Sequence, residues 1–152
     1  MVSYNQPLRE ALNIVEQEIE VTAAQVMERS YLSLDPSMSI IEASELISSH
    51  KLTGAPVVNQ KNMLLGILSE KDCMKYLLDV KYYNGPAGMV RDYMSSTVMT
   101  IHESEKILYM AELFIKNNYQ LYPVVDDDGI LLGVVQRSKL FKELCKLSQT
   151  SW

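Results

Sequence analysis

Apolar and polar positions recur along the chain with a period of 67 residues. When the chain is displaced by 67 it matches itself without a gap over most of its length. The stretch Pro56–Val58 falls on Pro123–Val125, and Leu64–Gly66 falls on Leu131–Gly133. Chance does not hold one register over so many positions, so the chain carries two copies of one structural unit.

Each copy predicts the order strand, helix, strand, strand, helix. Short alternating patterns predict the first strands at Tyr31–Asp35 and Val98–His102. A helix follows, and in the first copy Ser39-x-x-Glu42 has the spacing of a capping box. The side chains expected to face the core are Ile40, Ala43, Leu46 and Ile47 in the first copy and Ile107, Met110, Ala111 and Phe114 in the second.

The second half of each copy reads as a hairpin followed by a helix. Two apolar strands are expected to begin with a proline, at Ala55–Asn59 and Tyr122–Asp126. After a turn, each partner strand holds an interior glycine, which marks a bulge or a close backbone approach. These partner strands are Met63–Leu68 and Ile130–Val135, and the final helices are predicted over about 70–79 and 137–147.

The repeat also sets the expected domain organisation. We expect an amphipathic N-terminal helix over 1–21, because Leu8, Leu12, Val15 and Ile19 recur at helical spacing. Each copy alone, at roughly 55 residues, offers little core, so the two copies are expected to share one. The predicted fold class is mixed α/β (α+β), with a first motif at 22–80, a linker at 81–88, a second motif at 89–148 and a tail at 149–152.

This ordered set of elements resembles the tandem cystathionine β-synthase (CBS) domain pair of the stand-alone bacterial type. The residues that carry the resemblance are Gly54–Val58, Leu65–Asp72, Tyr122–Val125 and Leu132–Val135, and it extends over about Thr22–Leu147. The resemblance implies two βαββα motifs in pseudo-twofold tandem, with two clefts between them. It also implies that the clefts bind AMP, ADP, ATP or a related adenosyl ligand, and that the pair forms a homodimer.

In nucleotide-binding members of the family a Ser/Thr-x-x-Asp motif holds the ribose, and here the matching residues are Ser69 and Asp72. A carboxylate accepts strong hydrogen bonds from both ribose hydroxyls. The same spacing also caps helices, so capping alone is the alternative. The second copy has Gln136 and Lys139 at these two positions, so the repeat does not require the motif.

The resemblance further implies that the nucleotide contacts both copies. The implied set is Leu68, Ser69, Lys71 and Asp72 from the first copy with Thr100, Met110, Gln120, Leu121, Tyr122 and Pro123 from the second. Apolar side chains among these would hold the adenine. For Met110 and Pro123, core packing is the alternative role.

A possible second site would combine Gln136–Lys139 with the first copy. Its implied residues there are Met38, Ala43, Thr53, Gly54 and Ala55. Lysine cannot accept a hydrogen bond, so Lys139 departs from the family pattern, and we expect one strong site per chain. Lys139 and Arg137 are possible contacts to a phosphate that projects from the first site; the alternative is two solvated surface charges.

Charge and chemistry narrow the function classes. The net charge of −5 without a basic stripe argues against a nucleic-acid partner. No apolar run reaches the roughly 20 residues of a membrane span, and no signal peptide is recognised, so a cytoplasmic location is expected. Cys73 and Cys145 read as buried thiols. His50 and His102 stand apart from any Ser, Cys or Asp arrangement in sequence, so no catalytic or metal set emerges.

Two functions remain. The chain is expected to be a regulatory ligand-sensing module that passes nucleotide binding to an unknown regulated protein, with the nucleotide as a regulatory ligand and no required cofactor. The alternative is a structural protein that dimerises and binds nothing small.

Overall fold

The computed structural model describes residues 20–83 and 88–151, so the predicted N-terminal helix and positions 84–87 of the linker lie outside the described residues. The predicted mixed α/β fold is confirmed. The helices are α1 (Ala23–Val26), α2 (Ile40–Ser49), α3 (Glu70–Tyr83), α4 (Val90–Tyr93), α5 (Ile107–Lys116) and α6 (Arg137–Ser151). The strands are β1 (Gly54–Val58), β2 (Leu64–Ser69), β3 (Ile101–His102), β4 (Leu121–Val125) and β5 (Leu131–Gln136).

Each copy contributes an antiparallel hairpin to its own small sheet. β1 pairs with β2, and β4 pairs with β5 in the equivalent register. β3 adds to the second sheet parallel to β4. In the first sheet the predicted strand Tyr31–Asp35 is reduced to a single parallel bridge between Leu34 and Val57.

Prolines explain why this first strand is so short. Leu34 donates to the Pro56 carbonyl at 2.9 Å, and Val58 donates to the Leu34 carbonyl at 3.0 Å. The next parallel hydrogen bond on one side would need an N–H on Pro56, and on the other side an N–H on Pro36; neither exists. In the second copy the residue equivalent to Pro36 is Glu103. Its N–H donates to the Val125 carbonyl at 3.2 Å, so the pairing extends further.

The prolines also sit deeper in their strands than the sequence predicts. Pro56 and Pro123 are the third residues of β1 and β4, one position further in than in the predicted strands. Each lies opposite the residue after a strand glycine, because Pro56 faces Ile67 and Pro123 faces Val134. The missing N–H is tolerated because it points to the side where pairing stops.

The two strand glycines mark close backbone approaches. A Cβ on Gly66 would lie 2.5 Å from the Ser95 carbonyl oxygen, and one on Gly133 would lie 2.7 Å from that of Glu28. The approaches are hydrogen-bonded, since Ile67 and Ser95 exchange both of their backbone bonds, as Val134 and Glu28 do. β2 and β5 therefore each meet a segment from the opposite copy.

The core is shared by exchange of these short segments. Ala23 and Met27, from the start of the first copy, pack into the cluster built on α5 and β4. Val90, Tyr93 and Met94, from the start of the second copy, pack into the cluster built on α2 and β1. The expected inward faces of α2 and α5 are confirmed, with Leu46 and Ala111 at the partly buried margins.

The contacts between the copies obey a pseudo-twofold. Met63 and Ile130 are equivalent positions of the repeat, and they form an antiparallel bridge with each other. A twofold axis between the copies requires this direction. Within the described ranges, no helix is long and apolar enough to cross a bilayer.

Candidate functional site

A cleft of about 670 Å³ opens between the two copies. One wall comes from the start of β1, from Ile67 on β2 and from the first turn of α3. The opposite wall comes from the segment before β3 and from the turn between α5 and β4. The lining residues are Thr53, Gly54, Ile67, Ser69–Asp72, Ser95, Thr97–Met99 and Lys116–Leu121.

Ser69 and Asp72 hold each other at the entrance of α3. The Ser69 N–H donates to Asp72 Oδ2 at 2.8 Å, and the Asp72 N–H donates to Ser69 Oγ at 3.2 Å. The Glu70 N–H donates to the Thr53 carbonyl at 3.0 Å, which ties the helix to the start of β1. This is a complete capping box, and it fixes a carboxylate on the cleft wall beside the positive end of the α3 dipole.

The cleft is lined by apolar side chains and by two acidic and two basic side chains. Ile67, Val98 and Leu121 contribute partly or fully buried apolar side chains, while Met99 and Tyr119 are exposed on the opposite wall. The charged lining side chains are Glu70, Lys71, Asp72 and Lys116. The site thus offers apolar surface, the fixed carboxylate of Asp72, the carboxylate of Glu70 and two ammonium groups, which suit a small ligand with both apolar and polar parts.

The structure brings together five of the ten residues expected at this site: Ser69, Lys71, Asp72, Gln120 and Leu121. Leu68, Met110, Tyr122 and Pro123 are instead buried in the protein core. The Tyr122 hydroxyl donates to the Leu113 carbonyl at 3.0 Å, and burial raises the pKa of Tyr122. Thr100 is exposed but does not line the cleft.

Most of the lining residues that sequence reasoning missed come from two segments, 97–99 and 116–119; Ile67, Glu70 and Ser95 were also missed. Thr100 was expected because the first strand of the second copy was placed at Val98–His102. The strand begins at Ile101, so the chain before it is free to form the cleft wall. The repeat itself held a signal for the second segment, since Tyr119 is the counterpart of Leu52 and replaces an aliphatic side chain with an aromatic one.

A second cleft, related to the first by the repeat, has a volume of only about 120 Å³. Gly54 and Gln136 line it, but Met38, Ala43, Thr53 and Ala55 do not; Thr53 lies on the large cleft instead. The other lining residues are Glu28, Ser30–Leu32, His50, Leu52, Pro56, Leu121 and Val134. Arg137 and Lys139 line neither cleft.

One polar cluster lies outside both clefts. His102 Nδ1 is 2.6 Å from Ser104 Oγ, and His102 Nε2 is 2.8 Å from Asp127 Oδ1. His102 is therefore not isolated, although the sequence had suggested so. The cluster lies at the surface, with Asp127 almost fully exposed. Among residues 20–83 and 88–151 no group of His, Cys, Asp and Glu side chains is arranged to hold a metal.

Comparison with known families gives two matches in tandem. A family model described as CBS domain matches residues 23–79 and 90–146, one match for each copy of the repeat. The uncharacterised protein MJ1426 of Methanocaldococcus jannaschii is 30% identical, and the alignment covers 69% of this chain and 80% of that protein. The chain spans only 41% and 58% of the length of two further matching proteins.

Solved structures share the fold. CBSX2 of Arabidopsis thaliana, crystallised in complex with AMP, superposes with a TM-score of 0.73 and 25% identity over 84% of this chain and 98% of that chain. The CBS domain pair of protein MJ0100, in complex with 5′-methylthioadenosine and S-adenosyl-L-methionine, gives a TM-score of 0.71 and 24% identity over 83% and 97%.

Proposed function

Because this chain belongs to the CBS domain family and carries two tandem copies of the domain, we propose that it is a regulatory module that binds an adenine nucleotide in the large cleft. The nucleotide bridges the two copies, and the resulting change in their relative position alters the contact with a regulated partner. The proposal includes a cytoplasmic location, where adenine nucleotides are available.

The observation that carries the proposal is the fixed carboxylate of Asp72 on the wall of the large cleft. Its Oδ2 is engaged by the Ser69 N–H, and no described residue donates a hydrogen bond to its Oδ1. A carboxylate held in this way retains lone pairs for both hydroxyls of a ribose. Helix capping and ribose binding are therefore compatible roles for the same side chain.

The remaining lining matches the other parts of a nucleotide. The apolar side chains of Ile67, Val98 and Leu121 suit the faces of an adenine ring. Lys71 and Lys116 are the lysines that line the cleft, and both are exposed enough to follow a phosphate chain. A volume of about 670 Å³ lies within the range of about 300–1,000 Å³ for small-molecule sites.

The decisive experiment is calorimetric titration with AMP, ATP and S-adenosylmethionine, repeated on Asp72→Asn. The amide of asparagine can still accept the Ser69 N–H, so the cap is kept while the charged acceptor is lost. We expect near one equivalent of adenine nucleotide on the wild-type chain. We expect Asp72→Asn to weaken binding by about 1.5–3 kcal/mol, or roughly 10- to 150-fold, which is typical of a hydrogen bond to a charged group.

Asp128→Asn is the matched control, because Asp128 is exposed at a turn and lines neither cleft. This variant should bind like the wild type. No binding of any of the three ligands would favour the structural, ligand-free alternative. Tighter binding of S-adenosylmethionine than of AMP and ATP would reassign the ligand while keeping the site.

A further inference from the structure

The two clefts are related by the repeat, yet one is several times smaller than the other. Gly54 and Leu121 are equivalent in the repeat, and both line both clefts. Ile67 lines the large cleft, and its counterpart Val134 lines the small one. The same antiparallel pairings frame both clefts. The turn after the first helix differs, because Lys51 has a φ of 54° beside the small cleft, whereas its counterpart Asn118 at the large cleft has no positive φ. The clefts therefore differ in the backbone of this turn as well as in their side chains.

Several positions differ between the clefts, and two of these differences form a charged pair. Where the large cleft has Ser95 and Asp72, the equivalent positions at the small cleft hold Glu28 and Lys139. The carboxylate has moved from the helix to the opposite strand-like segment, and a cation has taken its former position. Lys139 Nζ lies 3.2 Å from Glu28 Oε1, so the exchanged charges contact each other.

The Glu28 carboxylate is held from several sides. Its backbone exchanges hydrogen bonds with Val134 at 2.8 and 3.1 Å, which fixes the point from which the side chain extends. Gln136 Nε2 donates to Glu28 Oε2 at 3.3 Å. Oε1 is buried and accepts no hydrogen bond from a described residue, so the Lys139 ammonium is the group that offsets its charge.

Each of the two charged residues offsets the free-energy cost of placing the other. Lys139 lies in the first turn of α6, where the positive end of the helix dipole disfavours a cation. Glu28 supplies the negative charge that offsets this cost. In return, a buried carboxylate oxygen without Lys139 would have no compensating charge. The pair is therefore one unit, in which Lys139 holds the position equivalent to Asp72 and Glu28 lines the small cleft.

We infer that the Glu28 side chain, held by Lys139 and Gln136, fills the small cleft. Its presence there restricts ligand binding to the large cleft. The part of this inference that concerns ligand binding rests on the proposed function. This assignment also gives Lys139 a structural role, in place of the phosphate contact that the sequence suggested. The pair makes the protein asymmetric in function although its fold is symmetric.

The first test needs no ligand. Unfolding in denaturant is measured for Glu28→Gln, Lys139→Gln and the double variant. We expect the effects on the unfolding equilibrium constant to be non-additive by about three- to fivefold, the upper part of the range for a partly exposed pair. Additive effects would show that the pair is not a unit and would overturn the inference. Lys142→Gln, on the same helix but outside the cleft, should be additive with Glu28→Gln.

The second test rebuilds the small cleft on the pattern of the large one. Glu28→Ser, Gln136→Ser and Lys139→Asp together introduce the residues that the large cleft has at these positions, which are Ser95, Ser69 and Asp72. Circular dichroism checks that the triple variant folds. Calorimetry with AMP should give near one equivalent for the wild type and near two for the triple variant. Adding Asp72→Asn to the triple variant should leave the new site and weaken the original one.

Two equivalents on the wild type, or one on the folded triple variant, would overturn the inference. If the triple variant does not fold, Glu28→Ser with Lys139→Asp makes the same test with Gln136 retained. Absence of AMP binding to both wild type and triple variant would count against the proposed function; the ligand-free coupling then decides by itself whether Glu28 and Lys139 form the unit.

Discussion

At the scale of single residues, the two cysteines illustrate how burial sets chemical reactivity. Cys73 is buried in the first cluster, next to the turn that carries Asp72. Cys145 on α6 is partly exposed, so the prediction of a buried thiol is wrong for this residue. Burial raises the pKa of the Cys73 thiol, and the neighbouring charges of Asp72 and Glu70 act in the same direction. The thiolate is the reactive form. Burial therefore slows reaction of Cys73 both by limiting access to the thiol and by disfavouring its ionisation.

We predict that Cys145 reacts first with a thiol reagent. At pH 8 in native conditions, alkylation followed by peptide mass spectrometry should label Cys145 at least about tenfold faster than Cys73. In denaturant the two rates should converge, which serves as the control. Equal native rates would contradict the buried position of Cys73.

At the scale of elements, the glycines of β2 and β5 allow the copies to approach each other. A side chain at Gly66 or Gly133 would meet a backbone carbonyl first, and then a methionine side chain. That carbonyl is itself hydrogen-bonded to the strand, so it cannot move without breaking the contact. Gly129 is different, since its surroundings are open and its constraint is a φ of +82° in the turn before β5.

We predict that Gly66→Ala lowers the free energy of unfolding by about 2–3 kcal/mol, in the upper range for overpacking. Gly133→Ala should do the same. Gly129→Ala, which tests backbone conformation alone, should cost about 1 kcal/mol. Denaturant unfolding of the three variants measures these values. The close approach would be refuted if Gly66→Ala were no more costly than Gly129→Ala.

At the scale of the whole molecule, apolar side chains remain exposed on the outer helices. On α3 they follow one another at helical spacing, at Met74, Leu77 and Leu78. Phe141, the counterpart of Met74, is exposed on α6, and Ile115 on α5 is the most exposed of all. Exposed apolar stripes usually find a partner surface, and homodimers are the commonest assemblies.

We therefore predict a homodimer in solution. Light scattering at micromolar concentration should give about twice the 17.3 kDa mass of the chain. Leu77→Glu should shift the mass toward that of the monomer, because it places a charge in the stripe. Lys75→Glu, also exposed on α3, is the control and should stay dimeric. A monomeric wild type would count against the prediction.

The sequence by itself determined the repeat, the type and order of most elements, and the faces that enter the core. These features are local, because the spacing of apolar side chains in a helix or strand follows from the geometry of that element alone. The Ser69–Asp72 box is equally local, since both of its hydrogen bonds span three residues. The family resemblance rests on the same local patterns, and it is confirmed.

Only the tertiary structure decided which residues meet at the clefts. Four of the ten residues expected around the nucleotide lie in the core, because the sequence pattern of a short apolar strand is the same whether a side chain faces a cleft or the interior. The exchange of α1 and α4 between the copies, and the contact of Glu28 with Gln136 across 108 positions, leave no periodic trace in the sequence. Such contacts depend on how separate elements pack, and no single element encodes that.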